Sequence, residues 1–318
     1  MKLVLIDGNA ILHRAFHAIP SLTTTKGQLV NAVYGFISML LRVKDDLQPD
    51  YLAVCFDRPK PTFRQEIFIG YQAHRPRMDE DLSSQIETVH DVVRRMKVPI
   101  YEMDGYEADD LLGTIAKESQ NSQVGSDKAG GKSKNLKIFI VTGDRDILQL
   151  VNKNVKVYMP TKGLSEAKVF GEKEVEEKLG VKPGQVVDYK GLVGDPSDGY
   201  VGVTGIGPKT ASSLLQKYKT LQKVYENLDK LPEQVAQKLK EGEESARLSY
   251  QLATIKKDVP CDFSLKNAKI SQFNNPEVQE KLEELEFHSL LNRITGKKTG
   301  VKKKEKKNKE NENQLGLF

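Results

Sequence analysis

The chain alternates between short apolar runs that end in an acid and longer stretches with helical spacing. KLVLID at 2–7 opens it, followed by YLAVCFD at 51–57, VPIYEMDG at 98–105 and LKIFIVTGD at 136–144; VKVYM at 155–159 is a weaker fifth run. Runs this short and this continuously apolar suit strands buried on both faces, as in parallel sheets. Between them, apolar spacing predicts helices over roughly 28–46, 79–97 and 107–118, with Asp79 and its neighbouring acids opening the second and Pro99 ending it. Strands alternating with helices predict an α/β fold, a doubly wound and mostly parallel sheet with right-handed crossovers.

Past residue 170 the strand pattern stops, and helices are predicted near 172–180, 184–193, 208–218, 232–255 and 275–294. The organisation expected is a sheet domain over 1–170, a helical region over 171–295 and a tail over 296–318. Residues 121–135 are Gly/Ser/Lys-rich, without core positions, and read as a surface insertion between a helix and a strand. The Lys/Asn/Glu-rich tail is expected to be disordered.

Composition narrows the class. A chain of 318 residues with 38% hydrophobic and 29% charged residues is expected to be a soluble globular protein with a real core. It has no apolar run long enough to span a membrane, and its N-terminus, with Asp7 so early, is no secretory signal. Cys55 and Cys261 have apolar surroundings and read as buried thiols of a reducing, cytoplasmic compartment. The net charge of +5 sits in the tail, where residues 297–318 hold eight lysines and three glutamates, so the rest of the chain is neutral. That neutrality can hide acids gathered in one place and bases in another.

The acids are gathered. Ligands of open parallel sheets bind outside the carboxyl ends of the strands. Asp7, Asp57 and Asp144 close three predicted strands, and Asp146 follows two residues on. GYEADDLLG opens a helix with Glu107, Asp109 and Asp110, and GLVGDPSDG brings Asp195 and Asp198 at a spacing of three. Anions crowded on one edge repel one another unless cations neutralise them. An all-oxygen ligand set selects Mg²⁺ or Mn²⁺, and two such ions can activate water and stabilise the leaving oxygen of a phosphodiester. The five histidines are scattered and form no competing nucleophilic arrangement.

LIDGNAILHRAFHA, FDRPKPTFRQE, YQAHRPRMDEDL, GYEADDLLGTIA, VTGDRDILQLV and GLVGDPSDGYVGVTGIGPKTA, in this order, resemble the 5′-nuclease domain of bacterial DNA polymerase I, of the flap-endonuclease family. The resemblance runs from about residue 1 to 295. It implies a PIN-like 5′-nuclease fold with a helical arch at about 58–97, and cleavage of 5′ flaps and 5′ ends of nicked or gapped duplexes with two or more divalent metals. It also implies that Asp7, Asp57, Glu107, Asp109 and Asp110 form one metal group and Asp144, Asp146, Asp195 and Asp198 a second. The family's arch usually reads Tyr-Lys-Ala-x-Arg. Here it reads Tyr71-Gln72-Ala73-His74-Arg75, so electrophilic help falls to Arg75, Arg77 or Lys60.

The segment 58–77 interleaves bases with aromatics, among them Lys60, Phe63, Arg64, Tyr71, Arg75 and Arg77, as a single-strand contact requires. Arg14 is a candidate phosphate clamp. GVTGIGPKTASSLL carries a helix-hairpin-helix signature: Gly205 and Gly207 allow close backbone approach, and Lys209 and Thr210 open the next helix, whose N–H groups can hold a duplex phosphate. The resemblance adds K⁺ at this hairpin. The terminal Gln314-Leu315-Gly316-Leu317-Phe318 resembles the bacterial sliding-clamp peptide, with Gln314, Leu315, Leu317 and Phe318 as contacts, and its position suggests a stand-alone nuclease.

The reading is a monomeric, cytoplasmic, nucleoid-associated 5′-3′ exonuclease and flap endonuclease acting in primer removal and repair, free of membranes. The alternative is a non-catalytic DNA-structure-binding protein tethered to the clamp. A toxin-type ribonuclease ranks last, because such domains are shorter and lack the hairpin.

Overall fold

The computed structural model describes residues 1–121, 136–162 and 166–297. Most of the Gly/Ser/Lys-rich insertion, and the tail from residue 298 with its Gln314–Phe318 peptide, lie outside the described residues. Strand β1 (Lys2–Asp7) leads directly into α1 (Gly8–Ala18), and α2 (Asn31–Leu47) returns the chain to β2 (Tyr51–Cys55). Then follow α3 (Phe63–Ile67), α4 (Glu80–Ser83), α5 (Ile86–Arg95), β3 (Ile100–Tyr101), α6 (Ala108–Asn121), β4 (Lys137–Val141), β5 (Val155–Lys162) and β6 (Glu166–Phe170). The remainder holds α7 (Glu172–Leu179), α8 (Val186–Val193), the two-residue strands β7 (Gly194–Asp195) and β8 (Tyr200–Val201), and α9 (Pro208–Tyr218). It continues with α10 (Leu221–Tyr225), α11 (Glu233–Glu241), α12 (Glu243–Ala253), α13 (Pro276–Glu284) and α14 (His288–Thr295).

The main sheet runs β3-β2-β1-β4-β5-β6, parallel from β3 to β5, with β6 antiparallel at its edge. The order reverses at β1, with β2 on one side and β4 on the other, and the ligand crevice of such sheets opens there. Both faces are covered. Leu3 and Leu5 point into one core with Leu111, Leu112 and Ile115 of α6; Val4 and Ile6 point into the other with α1, α2 and α5. This accounts for the unbroken apolar runs: a strand covered on both faces has no solvent side on which to place polar residues.

Several elements differ from the pattern-based expectation, each for a local reason. Helix α1 has no polar cluster ahead of it, because Asp7 both ends β1 and caps the helix, its Oδ1 accepting the Ala10 N–H at 2.9 Å. The helix expected over 79–97 splits into α4 and α5 at Gln85, whose buried amide instead accepts from Ala32 and Val33 N–H and so caps α2. The helix expected over 232–255 breaks at Gly242, where a Cβ would lie 2.9 Å from Val203 Cγ1. The one expected over 275–294 breaks before His288, with Glu286 in the left-handed region (φ +60°) and its carboxylate accepting from Thr25. Strand β6, charged and exposed along most of its length, carries no apolar run to announce it.

Candidate active site

The acid-bearing ends of β1, β2 and β4 meet at the switch point. Asp7 is locked between strands: besides capping α1, its Oδ2 accepts from Thr142 Oγ1 at 2.6 Å. Thr142 Oγ1 also accepts the Asp144 N–H (3.0 Å), and Asp144 accepts the Asp146 N–H (2.7 Å), so β4 exits in a turn that presents two acids in succession. Asp57 accepts the Ala108 N–H at 2.6 Å, while its own N–H donates to Asn9 Oδ1 at 3.0 Å. These bonds join the end of β2 to the starts of α6 and α1.

The crowding shows in the protonation equilibria. Burial pushes Asp7 up to about 7 against the pull of its Thr142 and Ala10 bonds. Burial likewise takes Glu107 to about 7, held back by Arg64, and Asp146 to about 7, with Asp144 adding and Lys190 opposing. Asp109 stands well above the carboxylate range through burial and the charges of Asp144 and Asp7. Anions in this state gain strongly from a cation, which removes the repulsion that raises them.

Among the described residues, Asp146, Asp195 and Asp198 come together, each placing a carboxylate oxygen within 4.8 Å of the others. Octahedral ligands at about 2.1 Å put opposite oxygens about 4.2 Å apart, so the trio fits one hard divalent cation, and its donors are all oxygen. Lys190 of α8 donates to both Asp146 and Asp195, and Arg75 and Gln72 donate to Asp198, the latter at 3.1 Å. Burial would raise Asp195, but Lys190 and Ser197 outweigh it and hold Asp195 below its usual range.

Charge at strand ends marked the acids; nothing comparable marked their supports. Lys190 sits in an apolar helical turn, YKGLV, and a lysine there needs buried acid partners, which was the available signal. Thr142 and Asn9 carry no charge to mark them, and Gln72 stood out only as a missing positive charge, not as a donor to Asp198. Gln72 takes the left-handed conformation (φ +55°) and also donates its N–H to the Asp198 carbonyl at 2.8 Å.

Three expectations are corrected. Arg64 is no DNA contact: it is 2% exposed and pairs bidentately with Asp110 at 2.8 and 2.9 Å, while also donating to the carbonyls of Leu252 and Thr254. Asp110, expected as a metal ligand, is fully buried, and its oxygens are already taken by Arg64 and by the N–H groups of Glu107 and Lys256. Tyr71, expected to meet nucleic acid, is 4% exposed, stacks on Tyr200 and donates to Glu107 Oε2 at 3.2 Å. Residue type announced charge and aromaticity in this segment, but not that α3 plugs its arginine into the seam with α12.

Other expected contacts are exposed or half-buried. Lys60 is exposed beside Asp104 (2.6 Å), Arg77 and Lys209 are exposed, and Phe63, Thr210 and Arg14 are half-buried. Between α8 and α9, Gly205 takes a positive φ (+79°), Gly207 precedes Pro208 at the first position of α9, and no side chain caps that helix. The first turn of α9 therefore presents backbone N–H groups outward. No helix of the described residues is long and apolar enough to cross a membrane.

The sheet order and the acid-lined switch point together define an open α/β fold with a candidate divalent-metal site. The family model of the 5′-3′ exonuclease N-terminal, resolvase-like domain matches residues 2–180, and that of the 5′-3′ exonuclease C-terminal SAM fold matches residues 181–276. The 5′-3′ exonuclease of Aquifex aeolicus is 35% identical over 292 residues, covering 92% of this chain and 94% of that protein. DNA polymerase I of Caldicellulosiruptor bescii is 40% identical over 296 residues, covering 92% of this chain and 33% of that protein. The chain thus spans about a third of the length of such DNA polymerase I relatives. Among solved structures, the bacteriophage T5 D15 flap endonuclease matches in fold with a TM-score of 0.63 at 17% identity, covering 93% of this chain and 97% of that one. The catalytic core of Rad2 matches with a TM-score of 0.56 at 12% identity, covering 92% and 90%. The chain belongs to the 5′-3′ exonuclease family.

Proposed function

We propose that the chain hydrolyses phosphodiesters at 5′ flaps and 5′ ends of branched or nicked duplex DNA, including RNA-primed ends, with Mg²⁺ or Mn²⁺. The Asp146–Asp195–Asp198 trio at the sheet's switch point carries this reading. Asp146, Asp195 and Asp198, with Asp144, would hold one cation, and Asp7, Asp57, Glu107 and Asp109 a second. Divalent cations bound there polarise the phosphodiester and lower the pKa of water. Thr142 and Asn9 orient the carboxylates, Arg75 moves from Asp198 to a substrate phosphate, and Arg77 and Lys60 draw in the 5′ strand. The first turn of α9, with Gly205, Gly207, Lys209 and Thr210, grips a duplex phosphate, and K⁺ at this hairpin rests on the family resemblance. Nucleoid association and a monomeric state are proposed alongside this reading.

The test is cleavage of a 5′-labelled flap duplex in Mg²⁺. Asp144→Asn with Asp146→Asn is expected to lose at least about 10³-fold in rate, several kcal/mol of transition-state stabilisation, while still binding the flap. Binding by wild type without cleavage in Mg²⁺ or Mn²⁺ would overturn the enzymatic reading in favour of a DNA-structure-binding protein. The sliding clamp is proposed as a partner on the motif of Gln314, Leu315, Leu317 and Phe318. A clamp pull-down undiminished by deletion of residues 314–318 would remove that partner.

A further inference from the structure

Tyr200 is 2% exposed, and its hydroxyl is one of the few buried side-chain polar atoms among the described residues with no hydrogen-bond partner. A buried hydroxyl left unpaired costs stability that a phenylalanine would avoid. Its position gives the cost a purpose. Tyr200 on β8 stands directly opposite Asp195 on β7, so the two side chains leave the same face of the hairpin. The acids that bear on the phenol are Asp146, Asp195 and Asp198, the trio, with Arg64 opposing them.

The ring has little freedom. It is stacked on Tyr71 with centroids 6.3 Å apart and planes within 17°, and packed in a cluster with Leu252 and Ala253 of α12. Of the two parallel phenols, Tyr71 Oη donates to Glu107 Oε2, and Tyr200 Oη, on the residue paired with Asp195 across the hairpin, has no partner. In this arrangement the trio's oxygens accept from Lys190, Arg75, Gln72 and Ser197. A cation held by the trio turns those oxygens toward itself, and ligand carboxylates in turn take hydrogen bonds from an outer shell of donors.

We propose that Tyr200 is a positioning residue for the divalent cation of the trio, its hydroxyl donating to a carboxylate oxygen of Asp146, Asp195 or Asp198 when the cation is bound. This rests on the trio holding a cation, and the experiment separates the two. Mn²⁺ is titrated into the full chain without DNA, free Mn²⁺ is read by its electron paramagnetic resonance signal, and melting is measured in chelator. The site of interest is the one lost in Asp195→Asn. Tyr200→Phe is expected to melt in chelator no lower than wild type, and to bind Mn²⁺ at that site about tenfold more weakly, as loss of an outer-shell partner does. Unchanged Mn²⁺ affinity in Tyr200→Phe, with the site present in wild type, overturns the inference alone. Lower melting in chelator overturns it by giving the hydroxyl to the fold. An Asp195→Asn variant that binds Mn²⁺ as wild type does overturns the cation reading of the trio itself.

Discussion

Removing Asp110 separates scaffold from site. In Asp110→Ala, the guanidinium of Arg64 keeps its place in the seam between α3 and α12, 2% exposed, and loses its bidentate partner. Glu107 at 3.2 Å is the remaining counter-charge. The N–H groups of Glu107 and Lys256, now donating to Asp110 at 3.1 and 2.8 Å, lose their acceptor. Stripping one partner from a buried pair costs about 3–5 kcal/mol. Each orphaned N–H adds about 1–3 kcal/mol where water cannot reach it. Relaxation around the small Ala side chain admits some water, so the expected loss is about 4–6 kcal/mol. Arg64→Ala costs less, because an isolated buried carboxyl takes up a proton whereas an isolated guanidinium cannot shed one. The double variant Arg64→Leu with Asp110→Leu is expected to be more stable than Asp110→Ala, since no charge is then left buried. Urea unfolding at pH 7 of wild type, the singles Arg64→Leu and Asp110→Leu and their double closes the cycle. A loss under about 1 kcal/mol in Asp110→Ala, or single effects that simply add in the double, would refute an interior ion pair. If Asp110→Ala kept its stability and lost Mn²⁺ affinity, Asp110 would be the metal ligand first expected.

Asp7, Glu107 and Asp146 are each pushed up to about 7, so cation binding must expel protons below that pH, and Mn²⁺ affinity is expected to rise from pH 6 to pH 8. In chelator the sign reverses: the same groups titrate near ~4 when unfolded, so from about pH 4 to about pH 7 the folded state holds more protons and their contribution to stability falls as pH rises. A Mn²⁺ affinity flat over pH 6–8 by calorimetry would refute both statements. Gln85→Ala leaves the N–H groups of Ala32 and Val33 uncapped in the core, with an expected loss of about 1–3 kcal/mol by urea unfolding, and a change within ~0.5 kcal/mol would show that the cap is dispensable. Lys209→Ala is expected to weaken duplex binding uniformly across sequences and to reduce the salt slope of log K by about 0.9, which an unchanged slope in a fluorescence titration would contradict.

The sheet was legible because each central strand is covered on both faces, so burial writes itself as a continuous apolar run. The order of those strands was not, since a run carries no mark of its neighbours. Single residues ended three predicted helices early, and their reasons are tertiary: Gln85 caps another helix, Gly242 sits against Val203, and Glu286 reaches Thr25. In the site, the carboxylates were legible because acids at strand ends have few structural uses. Lys190 was hidden by its apolar neighbours, and Arg64 and Asp110 were misplaced because sequence reports charge and not depth.

Residues 71–75 draw their partners from both halves of the chain. Tyr71 donates to Glu107, just ahead of α6, and stacks on Tyr200 of β8; Gln72 and Arg75 hold Asp198, between β7 and β8. The two acid groups therefore take their geometry from one strap, and the size of each contact says what that strap does. The Arg75 side chain is 48% exposed, so its ion pair with Asp198 is screened and worth about 0–1 kcal/mol. Tyr71 is 4% exposed, and truncating a buried aromatic of this size costs about 3–5 kcal/mol. The ring fastens the strap and the guanidinium is held lightly. The light hold on Arg75 suits the role proposed for it, leaving Asp198 for an incoming phosphate, and the tight packing of Tyr71 suits a residue that bridges Glu107 and Tyr200.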